Sequence, residues 1–236
     1  MKPGAHMFEA RRFKNRTEAG ARLARQLGAY SGRADAIVLA LPRGGVPVGF
    51  AIAKALGIPL DVLLVRKLGV PGNEECAMGA VASGGLCVMQ PDILKHFDIS
   101  MEVVEATVQR KLQELAEREK LYRASRPAPQ LAGRVAIIVD DGLATGSTML
   151  AALHAARQAK AARLVVAVPV AASEGVRQIE SQADEAVFLM TPEPFYAVGV
   201  WYDDFRQTGD DEVVGLLDKA AKLQAQRKLR DHARHL

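Results

Sequence analysis

The chain is poor in the residues that build several common classes of protein. Its 236 residues include two cysteines, five histidines and one tryptophan, and aromatic residues make up only 5%. Cys76 and Cys87 have no metal-type spacing, and His6, His96, His154, His232 and His235 are scattered. A disulfide-built scaffold is therefore excluded, both cysteines read as reduced thiols, and no His/Cys metal cluster is expected. No run of roughly 18 apolar residues occurs, so no membrane-spanning helix is expected. The opening MKPGAHMFEARRFKNR has no apolar stretch of the secretory kind, which makes the cytoplasm the expected compartment. Its first seven residues carry no weight in the fold. Two nucleotide-binding patterns are missing as well. No lysine stands where a GxxxxGK[ST] loop needs one, and no GxGxxG occurs, so an ATPase of that kind is not expected.

What is present is an apolar, soluble-looking chain: 49% hydrophobic and 25% charged residues, with a net charge of +4. The positive excess gathers in KAAKLQAQRKLRDHARHL at 219–236. Without interleaved aromatics, this reads as a solvated helix end rather than a nucleic-acid or membrane-surface tail.

Pattern along the chain alternates strand with helix. Thr17 can cap a helix running to about Tyr30. The apolar run AIVLAL (36–41) is strand-like, PRGGVPVG follows, and a helix runs to Leu56 with Gly57 closing it. DVLLV (61–65) reads as a second buried strand, and the Gly- and Pro-rich RKLGVPGNEE (66–75) as a mobile loop. Residues 77–89 read as a hairpin around Gly84 and Gly85. A charged helix spans 101–123, with Val104, Val108, Leu112 and Leu115 as a narrow apolar stripe suited to core packing. A linker at 125–133 precedes the strand VAIIV. After that come a helix to about Lys160, a strand at 163–170, a short helix, a strand at 185–190, an aromatic loop and a last helix at 210–225. No internal repeat is found.

Uniformly apolar strands alternating with helices predict an α/β fold, with a mostly parallel sheet covered on both faces. Ligands of such sheets sit outside the carboxyl ends of the strands. The unusual segments of this chain, PRGGVP, RKLGVPGNEE, DDGLATGST and TPEPFY, all follow strands.

DDGLATGST (140–148) carries the most chemistry. Ala144, Thr145, Gly146, Ser147 and Thr148 form a small-residue loop entering a helix. Its amides and the helix dipole can hold an anion, and three hydroxyls can add donors. Asp140 and Asp141 sit beside it. Adjacent carboxylates accept hydrogen bonds from vicinal hydroxyls, directly or through a Mg²⁺-bound water. A plain strand-to-helix turn with an Asp cap accounts for one acid but not two.

IIVDDGLATGST (137–148) resembles the 5-phosphoribosyl 1-pyrophosphate (PRPP) signature of type I phosphoribosyltransferases. Gly142 departs from the hydrophobic residue usual after the two acids. LPRGG (41–45) resembles that family's pyrophosphate loop. The resemblance implies a cis Pro42–Arg43 bond, with Arg43, Gly44 and Gly45 at the diphosphate. RKLGVPGNEECAMGAV resembles the family's flexible loop, which implies that Arg66 and Lys67 reach the pyrophosphate. Glu74 and Glu75 read only as solvated charges. PFYAVGVWYDDF (194–205) loosely resembles the late loop of 6-oxopurine members. By that match Phe195, Tyr196 or Trp201 stacks on the acceptor, and Asp203 is the metal-side acid.

The order PRGG, RKxGxPGNxE, DDGxATGxT resembles a group of bacterial phosphoribosyltransferases over most of 15–215. The resemblance implies one phosphoribosyltransferase domain across 1–236, comprising a core at 15–215, a flexible loop and hairpin at 66–90, an inserted helix at 101–125, a hood loop at 192–205 and the basic tail. It further implies Mg²⁺-dependent transfer of a phosphoribosyl group from PRPP to a small nitrogen acceptor, a homodimer, and catalytic roles for Asp140, Asp141, Arg43 and Lys67. The alternative is a non-catalytic PRPP- or nucleotide-sensing regulator that binds RNA.

Overall fold

The structure, a computed structural model, describes residues 12–124 and 126–233. The first seven residues, the side chains of Glu74 and Glu75 and the end of the basic tail lie outside that description.

Five strands form one parallel sheet in the order β2-β1-β6-β7-β8: β1 (Ala36–Ala40), β2 (Leu60–Val62), β6 (Val135–Val139), β7 (Arg163–Val170) and β8 (Glu185–Met190). Every residue of β1 and β6 is buried, which explains why these strands read as unbroken apolar runs. Successive side chains go to opposite faces. Ile37, Leu39, Ala136, Ile138 and Leu164 pack with Ala152 and Leu153 of α5 (Ser147–Gln158). Val38, Ile137, Val139 and Val165 pack with Leu23 and Leu27, and with Ile52 and Leu56 of α2 (Gly45–Leu56). The expected architecture, a parallel sheet with helices on both faces, is the one observed.

The first helix, α1 (Arg16–Gln26), is capped by Asn15, whose side chain accepts from the Glu18 amide, and not by Thr17. The helix stops four residues short of Tyr30, which lies in a 3₁₀ turn. Gly57 closes α2 in the left-handed region at φ 73°, as its sequence position suggests.

DVLLV is not one strand. β2 ends at Val62, and Leu63 still donates to the Ala40 carbonyl at 3.0 Å. Leu64 already pairs with Ser83, the residue after a strand of a second sheet. The chain changes sheets within two buried residues, and hydrophobic pattern cannot mark such a transfer because both sides of it are apolar.

The second sheet is antiparallel: β3 (Val65–Val70), β4 (Asn73–Ala82) and β5 (Leu86–Met89). Residues 66–75 therefore form a hairpin and not an irregular loop. Pro71 and Gly72 make its turn, with Gly72 at φ 77° in the region a Pro-Gly turn requires. The glycines that suggested mobility are turn and bulge residues: pairing shifts register around Gly69. The other turn uses Gly84 and Gly85, both at positive φ.

One face of this sheet, carrying Val65, Ala80 and Ala82, packs on α5. The other, carrying Leu68 and Val81, packs on α4 (Met101–Arg123) and α7 (Asp210–Ala233). The α4 stripe does serve the core: Val104 and Leu115 are buried, and Val108 and Leu112 pack against the same cluster. Arg123 pins the end of α4. It is buried, bonds Asp61 at 2.9 Å and donates to the Val62 carbonyl at 2.5 Å. The remaining helices among the described residues are α3 (Pro91–His96) and α6 (Ser173–Glu180). The last helix runs well past the 225 expected.

Gly20 shows how closely α1 lies on α2. A Cβ there would fall 2.5 Å from the Val48 carbonyl oxygen and 2.8 Å from the Ala51 Cβ. In an open helix, glycine to alanine gains about 1 kcal/mol. Here the overlap with fixed backbone costs about 1–3 kcal/mol. Gly20→Ala is expected to lower the urea midpoint despite its helix gain, and an unchanged or higher midpoint would show that the helices can move apart freely.

Candidate functional site

The site is built where two neighbouring parallel strands end together. Ala40 of β1 pairs with Val139 of β6, and the Leu41 amide donates to the Val139 carbonyl at 2.9 Å. The segments that leave these strands, 41–45 and 140–141, are thereby placed side by side. The two glycines let them touch. A Cβ on Gly44 would lie 1.9 Å from Asp141 Oδ2, and one on Gly45 would lie 2.7 Å from the Val139 oxygen and 3.0 Å from the Asp140 Cα. Gly44 has an ordinary φ of −60°, so space, not backbone freedom, requires glycine. The Pro42–Arg43 bond is cis.

Among the described residues, the acid pair has one cation. Arg16 Nε lies 2.7 Å from Asp141 Oδ2, with both side chains largely buried. The guanidinium also donates to the Arg206 carbonyl at 2.7 Å and lies 3.9 Å above the Phe205 ring. Tyr202, itself buried, donates its hydroxyl to the Asp141 carbonyl at 2.5 Å. Among the same residues, Asp140 receives only the Asp141 amide, at 2.8 Å on Oδ1. The consequences follow from desolvation. Burial, and then the charge of Asp141, holds the Asp140 carboxyl well above the usual carboxylate range. Burial raises Asp141 as well, against the pull of Arg16. Burial, followed by the nearby Asp141 charge, pushes the Tyr202 phenol far upward.

Beyond the acids, the chain turns into α5. Gly146 is the N-terminal flanking residue at φ 79°, with no side-chain cap on the helix. The first amides of a helix have no partner within it. Here they lie beside Thr145 and Ser147, whose hydroxyls are 3.1 Å apart, and beside the exposed Ala144 and Thr148. Gly175 of α6 supports the loop from below, since a Cβ there would fall 2.7 Å from the Ala144 oxygen. Gly142, unusual after the two acids, has a local reason. A Cβ would fall 2.2 Å from Val198 Cγ1, so the hood packs directly onto this position.

The other expected site residues divide. Arg66 and Lys67 are neighbours on a strand and point to opposite faces. Lys67 pairs with Ala80 on the α5 side and lines a cavity of about 150 Å³ with Ser147, His154 and Gln90. Arg66 pairs with Val81 on the α4 side, where the Lys111 hydrogen bond, helped by the charges of Lys111 and Arg66, holds Glu114 of α4 below the usual range. Lys67 is thus brought towards the loop at 144–148, whereas Arg66, expected with it at the pyrophosphate, stands on the α4 side of the sheet. Arg43 lies 3.8 Å from Asp210 at the start of α7, and Asp210 also meets Tyr122 and Arg118 of α4.

In the hood, Phe195 and Trp201 pack into a cluster with Phe13, Val170 and Tyr202, whereas Tyr196 is 79% exposed. Of the three aromatics, Tyr196 is the exposed one, and Phe195 and Trp201 are half-buried. Asp203 is exposed and lies in a bend after Tyr202, where its amide donates to the Phe13 carbonyl at 2.8 Å. Among the described residues, no group of three or more His, Cys, Asp or Glu could enclose a metal, and no helix is long and apolar enough to cross a membrane.

Arg16, Tyr202 and Asp210 were not singled out from the sequence. Arg16 is 125 residues from its partner, and nothing local marks it among the neighbouring arginines.

A parallel α/β sheet with this acid pair and glycine-lined loop at its carboxyl edge has the architecture of the type I phosphoribosyltransferases. The chain belongs to that family: the model for the phosphoribosyl transferase domain matches residues 11–193. Two relatives from Mycobacterium tuberculosis, of strains H37Rv and CDC 1551, each bear the name putative phosphoribosyl transferase and are 46% identical over 208 residues. That stretch is 88% of this chain and 47% of theirs, so the chain spans about half the length of the curated relatives it matches. The crystal structure of TT1426 from Thermus thermophilus is 44% identical, with a TM-score of 0.81 over 87% of this chain and 97% of that one.

The acid pair sets a stability test. Asp140 keeps its proton in the folded protein at pH values where the unfolded chain has lost it, above about 3.9. Ionised Asp140 therefore costs stability, none below that value and the full amount above the raised folded one. Asp140→Asn is expected to raise the thermal midpoint at about pH 8, with the gain fading as the pH falls to about 4. A gain that does not change with pH would contradict the assignment.

Proposed function

We propose that the chain is a Mg²⁺-dependent phosphoribosyltransferase that moves the 5-phosphoribosyl group of PRPP to a nitrogen acceptor and releases pyrophosphate. One observation supports this above the others. The acid pair is held between the turn at 42–45 and the helix-entering loop at 144–148, so groups suited to diphosphate, ribose hydroxyls and 5′-phosphate follow one another along one sheet edge.

In this reading, the amides and hydroxyls of Ala144, Thr145, Gly146, Ser147 and Thr148 hold the 5′-phosphate. Asp140 and Asp141 accept from the ribose hydroxyls. The turn amides at Arg43 and Gly44, with Gly45 behind them, face the diphosphate, and Lys67 approaches from β3. Arg43 exchanges its loose contact with Asp210 for the leaving group. Such preorganised donors act on charge that grows in the transition state. Arg66 has no role in this scheme.

The residues fit Mg²⁺, which binds through one or two carboxylates plus substrate phosphates and keeps its waters rather than needing a protein cage. Asp140, with a single amide partner and no cation among the described residues, is the carboxylate available to it, directly or through water. The ion would neutralise part of the diphosphate charge. The acceptor docks by the hood loop at 192–205, where Tyr196 is open. The β3–β4 hairpin would shield the site, since water competes with the acceptor for PRPP.

One observation favours the regulator reading. With Arg66 facing α4 and Arg43 within 3.8 Å of Asp210, neither guanidinium lines the cavity in which Lys67 meets Ser147. Pyrophosphate release with a panel of nucleobases separates the two readings: PRPP binding with no release under any acceptor supports the regulator.

Calorimetric titration of PRPP with and without Mg²⁺ is expected to show micromolar, Mg²⁺-sensitive binding; no heat under either condition would remove the transferase reading. Asp140→Asn is expected to lower turnover by about 10²-fold or more, the loss of a transition-state contact of about 3 kcal/mol. Asp141→Asn should do the same, but it also strands the buried Arg16, so its fold must be checked by circular dichroism. Wild-type turnover in both would refute the assigned role. Thr145→Val is expected to weaken PRPP binding by about 1–3 kcal/mol, and unchanged affinity would count against the cradle.

A further inference from the structure

The opposite edge of the parallel sheet carries a second charged feature. Arg33, Arg134, Arg227, Lys228 and Arg230 line a cleft of about 870 Å³, and among the described residues no Asp or Glu lines it. Its floor is the amino edge of the sheet: Ala34, Pro59 and Arg134 lie just before β1, β2 and β6. The candidate site lies beyond the other ends of β1 and β6. Each has five residues, so the two edges are about 16 Å apart along the strands.

Like charges brought together repel, yet the fold holds three of these cations in place. Arg134 donates to the Ala36 carbonyl at 2.9 Å. Arg227 donates to the Lys54 carbonyl at 3.2 Å and lies over Gly57, where a Cβ would fall 1.3 Å from its Nη1. Arg33 is fixed by Asp35 at 2.7 Å and 3.0 Å, a carboxylate that offsets part of the group's charge. A guanidinium has five N–H donors, so a bond or two to the protein leaves others for a ligand. The basic end of α7 is exposed, as expected of a solvated helix end, and its cations rim the cleft together with arginines from two remote segments.

We propose that this cleft binds an oligophosphate, free or as the phosphate chain of a nucleotide, at a site separate from the one at the carboxyl edge. Fixed guanidinium forks match phosphate oxygens, and five cations in one concavity raise the local concentration of anions. The volume is that of a small-molecule site. Among the described residues no aromatic side chain lines it, so recognition goes to the phosphates and not to a stacked base, and extended single-stranded RNA lacks its usual platform.

The test titrates inorganic tripolyphosphate, and separately ATP, into the full chain and into Lys228→Glu/Arg230→Glu. Arg110→Glu/Lys120→Glu on α4 changes net charge equally and serves as control. Tripolyphosphate is expected to bind at micromolar concentration. The cleft variant should lose that binding by at least about 10-fold while the control changes by no more than about 2-fold, because screening confines the effect of distant charges. PRPP titration should be the same in all three proteins. Equal affinity for ATP and tripolyphosphate would identify the phosphates alone as the ligand; tighter ATP binding would identify a nucleotide. The proposal is overturned if the cleft variant binds tripolyphosphate like wild type, if the control loses as much, or if a short single-stranded RNA binds more tightly than tripolyphosphate through the same two residues.

Discussion

Two adjacent carboxylates in a largely buried niche repel each other and lose hydration, and much of the surrounding structure answers that constraint. Arg16 supplies the counter-charge to Asp141, and Phe205 and the Arg206 carbonyl hold Arg16 in turn. Tyr202 fixes the backbone between the acids and the loop. Burying an ion pair stabilises a fold little, because desolvation offsets attraction. What the arrangement supplies is position. Asp140, left without a cation among the described residues, stays electrostatically unsatisfied beside a loop of open amides. A bound polyol phosphate with its cation would relieve that condition.

The same constraint explains the glycines. Gly44 and Gly45 are needed because carboxylate and strand-end atoms occupy the space where their side chains would be. Gly142 is needed because the hood rests on it. Segments far apart in the chain therefore approach closely around the acid pair, because the glycines leave room for neighbouring atoms.

Helix α4 is tied into this assembly at its C-terminal end. Arg123 anchors it to the end of β2, and the Tyr122 hydroxyl, bonded to Asp210, connects it to Arg43 in the turn next to the acids. The antiparallel sheet between α4 and α5 sends Lys67 one way and Arg66 the other. A hairpin that resembles a mobile loop in composition thus acts as a partition with two chemically different faces.

Much of this was legible in the sequence. Continuous apolar runs marked the parallel strands, because strands covered on both faces have no polar side to show. The acids, the small-residue loop and the Pro-Arg-Gly-Gly turn were legible because each is local: their chemistry lies within a few consecutive residues. The sheet transfer inside DVLLV was hidden, since burial is continuous across it. The opposed directions of Arg66 and Lys67 required knowing that 66–70 is a strand, and its glycines pointed elsewhere. Arg16, Tyr202 and Asp210 act across 125, 61 and 88 residues respectively, and no local pattern marks a partner at such distances. The sequence alone determined the fold class and the site's chemical groups, because periodicity and motif are short-range properties. Tertiary structure decided which acid is neutralised, which cation reaches the cradle and where the basic helix end docks, because those depend on segments that only folding brings together.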